Sequence, residues 1–406
     1  MKIFVSAYAC EPNLGSEIGV GWHWVLEMSK YFELWVLTRE SNRKNIEPWI
    51  KVHPEYSGIH WLYYDLPKWA RWWKKGLRGV RTYYNLWQWR SNAIVEKTMK
   101  EHGIDVFHHL TYGNAMWQVS RYGQQKHFIW GPIGGLETIP EEFSCHYGLT
   151  ERLWAWTRRL YVKTLPLNRS FQKRCESAQL IICKTMSTQN LIPTQYRHKS
   201  IQMTDVACDE EKKTTAKTVR ETVDVTKFIT VGRLDAWRGF DLVIEAFDKL
   251  SQEVPNVELC IVGMGRDQKR LYKLIGKMPS SAKIKMVGEV SSETYQTLIQ
   301  DSHVVVNAAV KEGAVTVAFD AIAYGKPLVC IETGGYTRAY NNIMCECVDL
   351  QNREQVIEDL KNGMKRFCDL ENRRKAALEE ERMLPTLNWS HKGHKIRDAI
   401  LENYKQ

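Results

Sequence analysis

Between His303 and Gly335 the sequence reads HVVVNAAVKEGAVTVAFDAIAYGKPLVCIETGG, and this stretch restricts the fold more than any other. Its first seven residues are mostly apolar, with β-branched Val304, Val305 and Val306 in succession, the pattern of a buried parallel strand. Ala318 to Ala323 reads as a helix stopped by Gly325 and Pro327. Pro327-Leu328-Val329-Cys330-Ile331 is a second strand, turned back at Gly334-Gly335. Strand, turn and helix therefore enclose Glu312, and the amides of Gly313, Ala314, Val315 and Thr316 become the donors of a helix start, a natural seat for phosphate. Asp320 follows Glu312 by two helical turns, which puts both carboxylates toward one side of the helix start. By themselves, these carboxylates read first as a helix cap and as the partner of a surface cation.

The same alternation of strand and helix runs through the chain and points to parallel sheets. Lys2 to Tyr8 is a short strand followed by a turn containing Gly15 and Ser16 and a helical pattern from Ile18 to Met28. Gly15, Gly19 and Gly21 permit close approach, although no G-x-G-x-x-G is present. Further strands are expected at Leu34 to Thr38, Ile59 to Tyr64 and Leu180 to Cys183. After a polar stretch around Asp205 to Lys227, a strand ending in Val231-Gly232-Arg233 leads to Trp237-Arg238-Gly239 and a helix. Two cations beside helix-start amides make a diphosphate clamp, each able to neutralise a phosphate as a leaving group gains charge. Strands ending at Gly263 and at Gly288-Glu289-Val290 complete this half. Domains are expected at 1–205 and 227–385, with a linker at 206–226 and a final helical segment at 386–406.

From Leu66 to Val95 there is no acidic residue, and cations interleave with aromatics. Trp69, Trp72, Trp73, Leu77, Val80 and Tyr84 recur at helical spacing, beside Arg71, Lys74 and Lys75. A cationic tryptophan-rich helix suits the interface of an anionic membrane; a helix packed on the first domain is the equal alternative. Nothing in the chain reads as an RNA-binding or helix-turn-helix module, so no nucleic-acid partner is expected.

The Glu312 to Gly335 segment resembles the E-x7-E region of retaining glycosyltransferases of family 4, a GT-B family, with its G-K-P strand entry and double glycine. Val315 stands where that family usually has Gly, and Asp320 is one methylene shorter than its usual Glu. Gly232-Arg233-Leu234 and Arg238-Gly239 match the family's G-R-L and Lys-Gly segments, with Arg for Lys. Gly103 to His109 resembles the family's D-V-x-H strand ending, and Phe128 to Gly135 a glycine-rich acceptor-side segment in a branch of it. The resemblance covers nearly the whole chain and is strongest from Val231 to Gly335. It implies a GT-B fold, two Rossmann-like domains facing a central cleft, with a C-terminal helix crossing back to the first domain. It also implies transfer of a sugar from a UDP- or GDP-sugar to a saccharide or polyprenyl-diphosphate-linked acceptor. Under it, Glu312 positions the donor sugar and Arg233 and Arg238 stabilise the departing diphosphate. Asp320 holds the ribose, the Gly288 to Val290 backbone meets the base, and Gly15, Ser16 and Gly263 face the donor. His109, His108, Gly134, Gly135 and Glu137 would lie on the acceptor side, where a histidine can hydrogen-bond a sugar hydroxyl, and His109 rather than His108 is the catalytic candidate.

Length and composition agree with such a reading. The 406 residues suit two domains, and 57 Lys plus Arg against 47 Asp plus Glu bias the chain toward anionic partners. Ten scattered cysteines read as free thiols of a reducing cytosol, and Cys345-x-Cys347 has no second pair or histidine at zinc spacing. No cofactor or metal is expected. The N-terminus has too short an apolar core for a signal peptide, and no uncharged segment is long enough to cross a bilayer. The expected location is the cytoplasm, with peripheral attachment to the plasma membrane's inner face as an option. Two rivals are a nucleotide-sugar epimerase on the same fold and a catalytically weak membrane-associated scaffold of a polysaccharide assembly.

Overall fold

The apolar runs at Ile3, Leu34, Phe228 and Val304 all become parallel strands in the computed structural model, which describes residues 1–74, 79–209, 225–311 and 315–405. The chain divides into two units. The first comprises Met1–Leu136, Lys163–Asp205 and Trp389–Gln406, and the second Glu137–Val162 and Val206–Asn388.

In the first unit the strands are β1 Lys2–Ser6, β2 Glu33–Arg39, β3 His60–Tyr64, β4 Val106–His109, β5 His127–Ile133, β6 Ala178–Cys183 and β7 Ser200–Gln202. They form one sheet in the order β3-β2-β1-β4-β5-β6-β7, and every adjacent pair is parallel. Aromatic side chains dominate its core: Phe4, Tyr84, Trp87, Phe107, Phe128, Trp130 and Phe171 share one buried cluster. Helix Ser16–Ser29 follows β1, and helix Trp389–Lys405 packs against it. There the His23 and Trp389 rings stack with centroids 4.8 Å apart.

The second unit repeats the plan with β8 Thr226–Val231, β9 Val257–Val262, β10 Ile284–Gly288, β11 Val304–Asn307, β12 Leu328–Ile331 and β13 Cys345–Val348. Their order, β10-β9-β8-β11-β12-β13, is again wholly parallel. In both sheets the first strand is central and the order reverses beside it, so the carboxyl ends of neighbouring strands open a crevice for a ligand.

Several expectations need correction. Residues 137–162 cluster with the second unit, because Ile139, Phe143, Tyr147 and Ala155 are buried in one core with Phe240, Leu271 and Val306. The stretch from Leu66 to Val95 is not one amphipathic helix. Lys68–Ala70 is a single 3-10 turn, and helix Val80–His102 starts only after Gly79. Gly79 holds φ +77°, and a Cβ there would lie 2.6 Å from the Trp73 ring. Tyr84 and Trp87 are core residues, so the alternative of a helix packed on the domain is the right one from Val80 onward. The expected linker begins with Val206, Ala207 and Cys208, all buried, and Cys208 bridges to Asn388. The terminal helices divide at Asn388, and Pro385 lies inside helix Leu370–Leu387.

Candidate functional site

At the carboxyl end of the second unit's sheet, backbone contacts draw three glycines together. Gly232 N–H donates to the Val262 carbonyl at 3.0 Å, and Gly263 N–H donates to the Gly288 carbonyl at 2.7 Å. A Cβ on Gly263 would lie 2.0 Å from the Gly232 carbonyl oxygen, so this packing excludes any side chain. Gly288 has open space around it but holds φ +77°, a conformation that glycine adopts without cost. Gly232, Gly263 and Gly288 therefore present backbone where a ligand can approach closely. Glu289, exposed, and Val290, half-buried, follow directly. Ser291 then caps helix Ser292–Asp301 by accepting from Thr294 N–H.

The loop after β8 carries the cations. Arg233 is 60% exposed and donates through Nε to Asp235 at 2.6 Å. Arg238 lies over the Trp237 ring at 4.4 Å, and Lys311, from the turn after β11, over the same ring at 4.9 Å. Gly239 fastens this loop to the end of β11. It holds φ +68° as the residue before helix Phe240–Glu253, and a Cβ there would stand 1.9 Å from the Ala308 carbonyl oxygen. Lys311 and Trp237 were not foreseen as part of this cluster; the signal was a tryptophan between two glycine-flanked cations.

Glu312, Gly313 and Ala314 lie outside the described residues. Val315, buried and extended, precedes helix Thr316–Ala323 as its N-cap. Asp320 is 5% exposed, and its Oδ2 accepts from the Tyr295 hydroxyl at 2.7 Å. Burial and then the Asp320 charge push the Tyr295 phenol well above its ordinary range, so it stays a donor. Asn307, at the end of β11, donates to the Tyr336 hydroxyl at 2.8 Å. After β12, Glu332 Oε1 accepts from Gly334 N–H at 2.5 Å and from the Thr337 hydroxyl at 2.7 Å, shaping the double-glycine turn. Tyr295, Asn307 and Glu332 went unforeseen, since each acts through a contact that no local spacing announces.

In the first unit, Gly15 is extended and has nothing within 4 Å of a Cβ, so space does not demand glycine there. Ser16 begins the helix. The close approaches belong to Gly19, 2.0 Å from the Leu14 carbonyl oxygen by the same measure, and Gly21, 2.2 Å from that of Ala9. Gly134 N–H donates to the Gly113 carbonyl at 2.8 Å. Gly135 holds φ +72°, and a Cβ on it would meet the Asn114 amide. Beyond these strand ends lies a charged group absent from the sequence reading. Lys184 pairs with Asp205 and, at 3.6 Å, with Glu17, whose other oxygen accepts from Tyr112 N–H at 2.8 Å.

The two histidines do not reach an acceptor in this geometry. His108 is wholly buried, its Nε2 2.7 Å from the Gly131 carbonyl oxygen, and burial lowers its pKa to about 4. His109 is 1% exposed, 3.1 Å from the Tyr84 hydroxyl, and burial, then His108 and Arg174, lowers it to about 3. Both are neutral core imidazoles. Glu137 also departs from its expected place: it belongs to the second unit, where its carbonyl accepts from Arg158 Nε at 3.1 Å. Of the basic aromatic stretch, Trp69 and Trp72 are each 77% exposed. Trp73 packs at the first unit's core, Arg71 pairs with Asp65 at 3.4 Å, and Lys74 lies over the Tyr83 ring. Lys75 is outside the described residues. Among the described residues no group of three or more His, Cys, Asp or Glu could hold a metal ion, and no helix is long and apolar enough to cross a membrane.

Residues 211–379 match the family model of glycosyl transferases group 1. An uncharacterized glycosyltransferase of Methanocaldococcus jannaschii is 26% identical over 206 residues, 49% of each chain. A second uncharacterized glycosyltransferase of that organism is 30% identical over 126 residues, 31% of this chain and 32% of that one. The chain spans about half the length, or less, of the curated relatives it matches. Among solved structures, WaaG, a glycosyltransferase involved in lipopolysaccharide biosynthesis, superposes with a TM-score of 0.61 at 14% identity over 98% of both chains. Sucrose-phosphate synthase of Thermosynechococcus elongatus gives 0.65 at 13% over 100% of this chain and 99% of that one. Anabaena HepE in complex with UDP gives 0.61 at 13% over 99% of both. At these identities the likeness is one of fold. The chain has the GT-B fold, two parallel-sheet α/β domains, and shares sequence with group 1 glycosyl transferases across most of the second.

Proposed function

We propose that this protein is a retaining glycosyltransferase of family 4. It would move a sugar from a UDP- or GDP-sugar to a saccharide or lipid-linked saccharide acceptor in cell-surface polysaccharide biosynthesis. The observation that carries the reading is the meeting of Gly232, Gly263 and Gly288 at three strand ends, beside Arg238, inside the segment that matches group 1 glycosyl transferases. Half-buried glycine backbone there accommodates the nucleotide, while Arg233 and Arg238 neutralise the diphosphate as the bond to the anomeric carbon breaks. In this proposal Glu312 steadies the positive charge that develops on the donor sugar, and Asp320, held by Tyr295, accepts from a ribose hydroxyl. The similarity in fold to HepE with UDP bound favours UDP as the base-bearing half.

Thermal-shift and donor-hydrolysis measurements against UDP- and GDP-sugars, with Arg233→Ala alongside, test the donor site. Stabilisation by one nucleotide, lost in the variant, is expected; no response to either nucleotide would sink the proposal. Glu312→Ala is expected to abolish transfer, and full activity would refute its role.

The proposal includes attachment to an anionic membrane face. In helix Leu149–Thr164, Leu149, Leu153 and Trp156 recur at i, i+4 and i+7 and are 82%, 62% and 54% exposed, with Trp154 beside them and Arg152 and Lys163 on the same helix. Trp69 and Trp72 expose a second such set beside Arg71. Co-sedimentation with phosphatidylglycerol vesicles, weakened by Leu153→Glu together with Trp156→Glu and absent with phosphatidylcholine alone, is the expected outcome.

A further inference from the structure

At the edge of the second unit's sheet, three thiols share one face. β12 and β13 pair in parallel with Cys330 opposite Cys347, and alternate residues of a strand face the same way, so Cys345 joins them. The Cys330 sulfur lies 3.5 Å from that of Cys345 and 3.9 Å from that of Cys347. Cys330 and Cys345 are buried, whereas Cys347, on the edge strand, is exposed. Paired strands run about 4.8 Å apart, within the Cα separations of about 4.4–6.8 Å that disulfides accept. The Cys347 thiol also donates to Glu332 Oε2 at 3.2 Å, and the other oxygen of Glu332 holds Gly334 and Thr337.

We propose that Cys347 and Cys330 are a thiol modification site: a peroxide oxidises exposed Cys347, Cys330 closes a disulfide with it, and the Gly334 turn loosens. Peroxide oxygen is transferred to the Cys347 sulfur, giving a sulfenic acid and one water. The Cys330 thiolate then attacks that sulfur and displaces hydroxide, which leaves as a second water after taking a proton. Two thiols are oxidised by two electrons and the peroxide is reduced to water; a dithiol reductant reverses the bond. Exposure rather than acidity selects Cys347 for the peroxide, since its contact with Cys330 raises its thiol to about 12; hydrogen bonding led by Cys345 favours the thiolate at Cys330, the attacking group. In the disulfide, Cys347 has no S–H to donate, so Glu332 loses one of its anchors.

The inference is independent of the reaction proposed above, and its test needs no substrate. The full chain is treated with hydrogen peroxide, remaining thiols are alkylated, and linked peptides are identified by mass. A Cys330–Cys347 link is expected in the unaltered protein and in Cys345→Ser, and its absence in Cys347→Ser. Amide hydrogen exchange at Gly334 is expected to quicken at least several-fold on oxidation and to recover with dithiothreitol. A link through Cys345 instead, Cys347 driven only to sulfinic acid, or exchange at Gly334 unchanged in the linked protein would each overturn the proposal.

Discussion

The Tyr295 hydroxyl donates to Asp320 Oδ2 at 2.7 Å, tying the helix after β10 to the helix after β11 through a carboxylate that is 5% exposed. A carboxylate so buried depends on its donors, and removing one leaves it short by a hydrogen bond to a charged group. Tyr295→Phe is therefore expected to cost about 1–3 kcal/mol, read from the urea midpoint. In the proposed donor site, stabilisation by UDP should weaken in parallel, because Asp320 loses one of the contacts that hold its side chain. An unchanged midpoint would mean that the bond does not hold Asp320 in solution.

Gly239 and Gly15 make a matched pair of opposite expectation. Gly239 combines φ +68° with an Ala308 carbonyl oxygen 1.9 Å from where a Cβ would sit, whereas Gly15 is extended in open space. Gly239→Ala is expected to cost at least about 2 kcal/mol, from left-handed strain plus displacement of the loop that carries Arg238. Gly15→Ala should stay within about 0.5 kcal/mol of the parent. Chemical denaturation of both variants decides the matter; equal costs would show that the loop yields easily at Gly239.

These contrasts show which parts of the molecule local sequence can carry. β-branched runs such as Val304-Val305-Val306 announce buried parallel strands, and glycines after them mark turns, so both sheets and the Gly232, Gly263 and Gly288 positions were legible. Pairings between distant residues were not. Nothing near Tyr295 points to Asp320, and Glu17, Lys184 and Asp205 come together only through the sheet order that gathers the segments after β1, β6 and β7. The placement of residues 137–162 also escaped, since a segment lying before Lys163 in sequence buries Phe143 and Tyr147 in the later core. His109 misled for a related reason: a polar residue at a strand end reads as a site residue until Tyr84 is seen to enclose it.

Burial of His108 and His109 has a signature in pH. Both are held below the ordinary histidine value, to about 4 and about 3, chiefly by burial. The unfolded chain therefore binds more protons below about pH 6.5, and stability must fall as pH drops through that value toward 4. Each imidazole contributes about 1.4 kcal/mol per pH unit across this window, or about 2 kcal/mol between pH 6.5 and 5. The pair senses one environment, so the comparison that counts is with a variant. His109→Gln should lose less stability than the parent between pH 7.5 and 5, as measured by urea midpoints; parallel losses would show that His109 ionises freely in the fold.

Glu380 supplies the opposite slope. It is wholly buried on helix Leu370–Leu387, and neither carboxylate oxygen has a hydrogen-bond partner among the described residues. Burial pushes its carboxyl well above the ordinary range, opposed only by the charge of Lys326. For an acid raised in this way, the stabilising contribution is complete below the unfolded value. It is lost as pH rises toward the folded one, at up to about 1.4 kcal/mol per pH unit. Glu380→Met removes the group that must stay protonated and fills similar volume with apolar atoms. The variant is expected to gain on the parent as pH rises from 4.5 to 7.5, a divergence visible in paired urea titrations. A difference that stays constant with pH would mean that Glu380 ionises with the fold intact, through a partner or water that reaches it there.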